Sequence, residues 1–153
     1  MGNRGKSILT LLSAAALVAS AAGCRSSSHG FDLQQVTGTV TYRAKPVAGG
    51  QILFVPDNGS PVARATLDDA GRYRLSTFAP GDGAVPGPCH VAVVLRGPDK
   101  PVPANRKGQM MEEDMQGSGD PLIPKRYFSV ATSDLKAVVE KGKANQFDFA
   151  LQD

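Results

Sequence analysis

Tryptophan does not occur in this sequence, and cysteine and histidine occur only twice each. Each scarcity excludes something. Two cysteines cannot build the multi-bridge framework of a small disulfide-rich domain. His29 and His90 have no second metal-type ligand close to them in sequence, so no zinc site is expected. A G-x-S-x-G nucleophile elbow is missing, which argues against a Ser-His-Asp hydrolase. Helical periodicity is absent beyond the N-terminal region. An excess of one charge is missing too. The formal charge is +3, but Arg4 and Lys6 lie in a segment expected to be removed, and the 15 basic residues that remain face 14 acidic ones. A nucleic-acid surface needs clustered Lys and Arg, so no nucleic-acid partner is expected. No catalytic, cofactor-binding or metal-ligating residue is identified.

What is present begins with an N-terminal signal. Arg4 and Lys6 precede an uncharged run from Ile8 to Ala22, rich in Leu and Ala. This run is shorter than the roughly 20 apolar residues of a spanning helix, and it reads as the apolar region of a secretory leader covering residues 1–23. Ala21-Ala22-Gly23-Cys24 resembles a bacterial lipobox, with Ala21 where Leu is favoured. Cys24 is the expected site of lipidation. The plainer alternative is cleavage near Ala19-Ser20-Ala21, leaving a soluble secreted domain. The resemblance implies three acyl chains on Cys24. Each buried methylene contributes about 0.8 kcal/mol and two chains suffice for stable anchoring, so attachment would be permanent. Residues 24–34, with three serines, read as a flexible tether. If Cys24 is acylated, Cys89 lacks an intramolecular partner and is expected as a free thiol packed like a small hydrophobe.

The remainder, 35–153, reads as a β protein: the 17 Gly and 11 Pro of the full chain favour turns over helices. One domain is expected at this length. The organising stretch runs from Thr66 to Leu95. Asp68-Asp69-Ala70-Gly71 is turn chemistry. Before it, Ala63, Ala65 and Leu67 alternate with Val62, Arg64 and Thr66. After it, Tyr73 and Leu75 alternate with Arg72, Arg74 and Ser76. This predicts a hairpin with one buried face. Cys89, Val91, Val93 and Leu95 continue the pattern. Val36, Gly38, Val40 and Tyr42 alternate with three threonines in a half-buried strand. Gln51 to Val55 is a continuous apolar run that predicts burial on both sides. Leu135, Ala137 and Val139, then Phe147, Phe149 and Leu151, complete about seven strands in an antiparallel sandwich.

Asp-Asp-Ala-Gly-Arg-Tyr-Arg-Leu at 68–75, the Gly-Asp-Gly-Ala-Val-Pro-Gly-Pro-Cys-His-Val-Ala-Val run from Gly81, and Val36 to Gly50 together resemble the carboxypeptidase regulatory-like domain. The similarity covers roughly residues 35–95, with an end at 125–151. It implies an all-β, antiparallel, seven-stranded transthyretin-like (prealbumin-like) sandwich. Cys89 departs from the pattern, standing where the family usually has a large aromatic. The fold also hosts a hydroxyisourate hydrolase, but Phe149-Ala150-Leu151-Gln152-Asp153 lacks the Tyr-Arg-Gly-Ser-type tail of that family, and fold alone does not carry function.

Two fragments, Asp57-Asn58-Gly59 and Gly81-Asp82-Gly83, hold oxygen ligands of the calcium-loop type. Neither extends to the alternating pattern with a closing Glu, and turn chemistry accounts for both. Residues 97–125 read as a long loop, in which Met110, Met111 and Met115 lie among acidic residues. The expectation is a monomeric, non-catalytic lipoprotein of the bacterial cell envelope, membrane-attached through Cys24 and facing the periplasm or exterior. It would be a structural or interaction module without cofactor, with an unknown protein partner. The alternative is a small-ligand or polysaccharide-binding module. Few aromatics are left for the outer surface to stack sugars.

Overall fold

The computed structural model describes residues 30–100 and 119–153. The expected leader, Cys24, His29 and the methionines at 110, 111 and 115 lie outside the described residues. Two sheets make up the fold. β1 (Val36–Tyr42), with Val36 and Val40 fully buried, is the centre of the first. It runs antiparallel to β2 (Lys45–Pro46) and β5 (Arg72–Arg74), and parallel to β8 (Asn145–Gln146) and β9 (Phe149–Leu151). The second sheet is antiparallel throughout, in the order β4 (Ala63–Thr66), β3 (Gln51–Pro56), β6 (Gly87–Val94), β7 (Lys136–Val139). The all-β sandwich expected from alternation is what forms.

The core lies between the sheets. Val36, Val40, Ile52, Phe54, Leu75, Val91 and Val93 are completely buried, and Tyr73, Val139 and Leu151 nearly so. Phe54 is its centre. The ring centroids of Tyr73, Phe147 and Phe149 stand 6.1, 6.0 and 6.2 Å from its own. Tilted and edge-on rings at these separations are the favoured arrangements for aromatic quadrupoles. A short 3-10 turn, Lys125–Phe128, adds the buried ring of Tyr127.

Three details differ from the sequence reading. First, the Asp68–Gly71 turn is a corner between sheets. β4 pairs with β3 and β5 with β1, so the flanking strands meet only through the Arg64–Ser76 bridge. Asp68 Oδ1 accepts the N–H groups of Ala70 and Arg72, and Gly71 O accepts from Val40 N at 2.8 Å. The turn is thereby docked on β1, which draws β5 into the other layer. Second, β3 is fully buried on one face only: Ile52 and Phe54 are enclosed, while Leu53 and Val55 are half-buried opposite Arg64 and His90. Third, the described residues form nine strand segments in place of about seven. The last strand is split at Phe147-Asp148, and Lys45–Pro46 adds a two-residue edge.

That split is an interlock. Phe147 O points under Gly38 and accepts the Tyr73 hydroxyl at 2.8 Å. Asp148 Oδ1 then replaces a backbone acceptor, taking Thr39 N at 2.8 Å and Thr39 Oγ1 at 2.7 Å. Burial, helped by the nearby Asp148 charge, pushes the Tyr73 phenol well up, so it remains a donor across the neutral range.

At the tip of the β1–β2 hairpin, Arg43 and Ala44 both have positive φ, 51° and 61°. A two-residue turn of this hand suits the strand twist but favours Asn or Gly, because a Cβ is strained there. Asp153 clamps the tip. Its carboxylate accepts from the Tyr42 hydroxyl and from Nε and both contacts of Nη2 of Arg43.

Candidate functional site

One end of the sandwich gathers four segments. Chain 31–35 crosses to the loop after β5 through the Gln34–Ala84 bridge and a Gln35 Nε2 bond to Gly81 O. It also reaches the β7–β8 turn: Gly142 N donates to Gln34 Oε1, and Lys141 Nζ stands 2.8 Å from Asp32. Residues 31–34, which read as tether, thus contact the sandwich directly. The β3–β4 loop joins the same end, with Asp57 N donating to Pro88 O at the start of β6.

Asp82 organises the loop after β5. Its Oδ1 accepts Thr77 N at 2.7 Å, and its Oδ2 accepts Phe78 N and Ala79 N at 2.9 and 2.8 Å. Partial burial pushes this carboxyl up, but the backbone N–H groups of Thr77, Ala79 and Phe78 together outweigh that and hold it below the ordinary carboxylate range. One of the two calcium-type fragments therefore spends its oxygens on its own backbone. The other does the same in part: Asn58 Oδ1 accepts Ser60 N at 3.0 Å. Among the described residues no group of three His, Cys, Asp or Glu side chains could hold a metal ion.

A depressed carboxyl stabilises the fold above its unfolded pKa, and the contribution disappears as pH falls through the folded value. Asp82→Asn turns an NH2 group toward one set of N–H donors. The expected loss is about 1.5–3 kcal/mol at neutral pH, the range for hydrogen bonds to a charged group. In urea unfolding, variant and parent should converge as the solution is acidified below the ordinary Asp range. A constant gap down to strongly acid pH would assign the loss to packing.

Cys89 and His90 sit side by side on β6, yet strand alternation sends them to opposite faces. Cys89 is free, 2% exposed and inside the core. Burial, with a smaller contribution from Asp57, pushes its thiol up to about 11. The thiolate that would act as nucleophile is thus suppressed. His90 faces outward, with Nε2 3.5 Å from Asp57 Oδ1 and a buried Nδ1 that has no hydrogen-bond partner. These groups do not converge on a common point.

At the far end, the exposed side chains of Arg43, Arg126 and Asp153 gather around the half-buried Tyr42 and the buried Tyr127. Arg126 Nη2 bonds Tyr127 Oη and Gln152 O, and its guanidinium covers the Tyr127 ring. The Tyr42 hydroxyl, then Arg43, hold the Asp153 carboxyl low. Beside them the chain leaves and re-enters the described residues through the Arg96–Pro121 bridge, with Arg96 over the Phe128 ring at 4.9 Å.

The nine aromatics are placed largely as expected: only Phe78 is an exposed ring, at 39%, and it stacks on Phe31 with centroids 5.8 Å apart. Sequence reasoning missed this pair because Phe31 was counted with the tether. It also missed Asp148 and the duty of Asp82. Cys24, the one residue assigned a modification, lies outside the described residues.

No family model and no curated protein matches the chain. A solved structure, a 9R-lipoxygenase from Cyanothece PCC8801, is similar over 79% of this chain and 16% of its own, at 14% identity and a TM-score of 0.38. The chain spans 16% of that protein's length, and a likeness this slight carries no argument about topology or chemistry.

Proposed function

We propose that this chain is a non-catalytic lipoprotein of the bacterial cell envelope. In this reading it is anchored through acylated Cys24 and presents a transthyretin-like, carboxypeptidase regulatory-like sandwich as a structural or protein-interaction module. The observation that carries the non-catalytic part is the use of polar side chains. Asp68, Asp82 and Asn58 hold backbone N–H groups of their own loops, and Asp148 holds that of Thr39 on the neighbouring β1. Carboxylates committed in this way build a scaffold and are not poised to move protons. The anchoring part rests on Arg4, Lys6, the apolar run and the Ala21–Cys24 pattern.

Cys24→Ser is expected to move the protein from the membrane fraction to the soluble fraction. Intact mass of the wild-type protein should show acyl chains at Cys24. A variant that stays with membranes would remove the anchor from this reading. Crosslinking in whole cells, followed by identification of the captured protein, tests the interaction role.

A further inference from the structure

We propose that the end of the sandwich carrying Phe31 and Phe78 is a lipid-facing surface, on which the two stacked rings rest against the headgroup boundary of a phospholipid bilayer. The inference rests on the Cys24 anchor and adds an orientation to it.

The first argument is position. Phe31 is seven residues past Cys24, and seven fully extended residues reach at most about 25 Å. An acyl group at residue 24 therefore keeps this end of the domain within about 25 Å of the membrane surface, whereas the far end, a further strand length away, is under no such limit. Leu122, whose N–H bonds Leu95 O beyond the end of β6, is at the far end, about one eight-residue strand away, or roughly 25 Å. The second argument is chemistry. Phe78, Leu122 and Val138 are the exposed large apolar side chains among the described residues. Of these, Phe78 is the one that belongs to a pair of rings and lies at the tethered end. The third is rigidity. Asp82 pins the N–H groups of residues 77, 78 and 79, so the ring is presented on a fixed loop and loses little freedom on contact. Tethering raises the local concentration of bilayer to the millimolar range or above, so a weak contact suffices.

Charge defines the kind of lipid. Around the rings, Lys141 pairs with Asp32 and Lys143 with Glu140, while Arg74 Nη2 bonds Gln35. Among these described residues the two lysines each face a carboxylate, while Arg74 lies beside a neutral amide and keeps its charge. A single such cation is short of the basic cluster that anionic-lipid binding needs, so the contact is apolar and resists salt.

The chain has no tryptophan, so F78W introduces a sole indole emitter. The full chain carrying F78W, and separately F31W, is extracted from membranes and reconstituted in phosphatidylcholine vesicles containing a lipid brominated on its acyl chains. L122W is the far-end reference. Quenching of about two-fold or more is expected at positions 78 and 31 and little at 122, because interfacial rings sit at headgroup depth. The pattern should persist in high salt. No quenching at 78 or 31, or equal quenching at 122, in a chain that floats with the vesicles overturns the lipid-facing surface and leaves the anchor standing. A chain that does not float and carries no acyl mass on Cys24 overturns the anchor and the surface together.

Discussion

Gly38→Ala is expected to prevent folding, or to cost at least about 4 kcal/mol, among the largest effects of a single substitution. A Cβ at this position would lie 1.8 Å from Phe147 O, 2.7 Å from the carbonyl carbon and 2.8 Å from Tyr73 Oη. None of these atoms is free to retreat. The carbonyl is held by the Tyr73 hydroxyl, and the next residue, Asp148, grips Thr39 through both its N–H and its hydroxyl. Making room means breaking the interlock and pushing β8 and β9 off β1. Tyr73→Phe is the control: it removes a single hydrogen bond, worth about 1 kcal/mol net, and leaves the space under Gly38 intact. Urea unfolding of both variants decides the matter. A Gly38→Ala protein as stable as Tyr73→Phe would mean that β1 and the last strand are not locked together at this point.

Phe54→Ala should cost on the order of 3–5 kcal/mol, the range for truncating a buried aromatic. The ring is fully enclosed and touches the rings of Tyr73, Phe147 and Phe149. Those neighbours come from the opposite sheet, Tyr73 from β5 and the two phenylalanines from the split last strand, so they cannot collapse into the gap together. Phe54→Leu keeps most of the volume and should cost less than about 2 kcal/mol. Phe147→Ala should fall between them, because that ring is only partly buried. The measurement is the urea midpoint of the three variants at constant slope. A Phe54→Ala loss below about 1 kcal/mol would mean that the two sheets do not meet over this ring.

Facing was legible in the sequence; partnership was not. Period-two alternation placed Val36, Gly38, Val40, Ala63, Leu67, Tyr73, Leu75, Val91, Val93, Ala137 and Val139 on the buried side, where they are found. Alternation reports which side of a strand is covered, and it is silent about which strand lies alongside. Hence Asp68–Gly71 read as a plain hairpin, although its flanks enter different sheets. Asp148 is beyond any local signal, since its partner Thr39 is 109 positions away. Gly38 looked like an ordinary strand residue because the carbonyl that forbids a side chain comes from equally far along the chain. The calcium-type fragments failed as a site for a different reason. Asp82 finds three backbone donors within five residues, and a carboxylate so satisfied gains little from a cation.

The parallel pairing of β1 with β9 has a consequence for timing. Val40, Thr41 and Tyr42 take Phe149, Ala150 and Leu151 as neighbours, more than a hundred residues later. The central strand of the first sheet therefore cannot gain its second flank until residues 149–151 have been synthesised. Contacts of such long separation form slowly. A polypeptide threaded through a translocation pore in extended form would be spared premature closure, and the sandwich would shut only after its last strand had crossed.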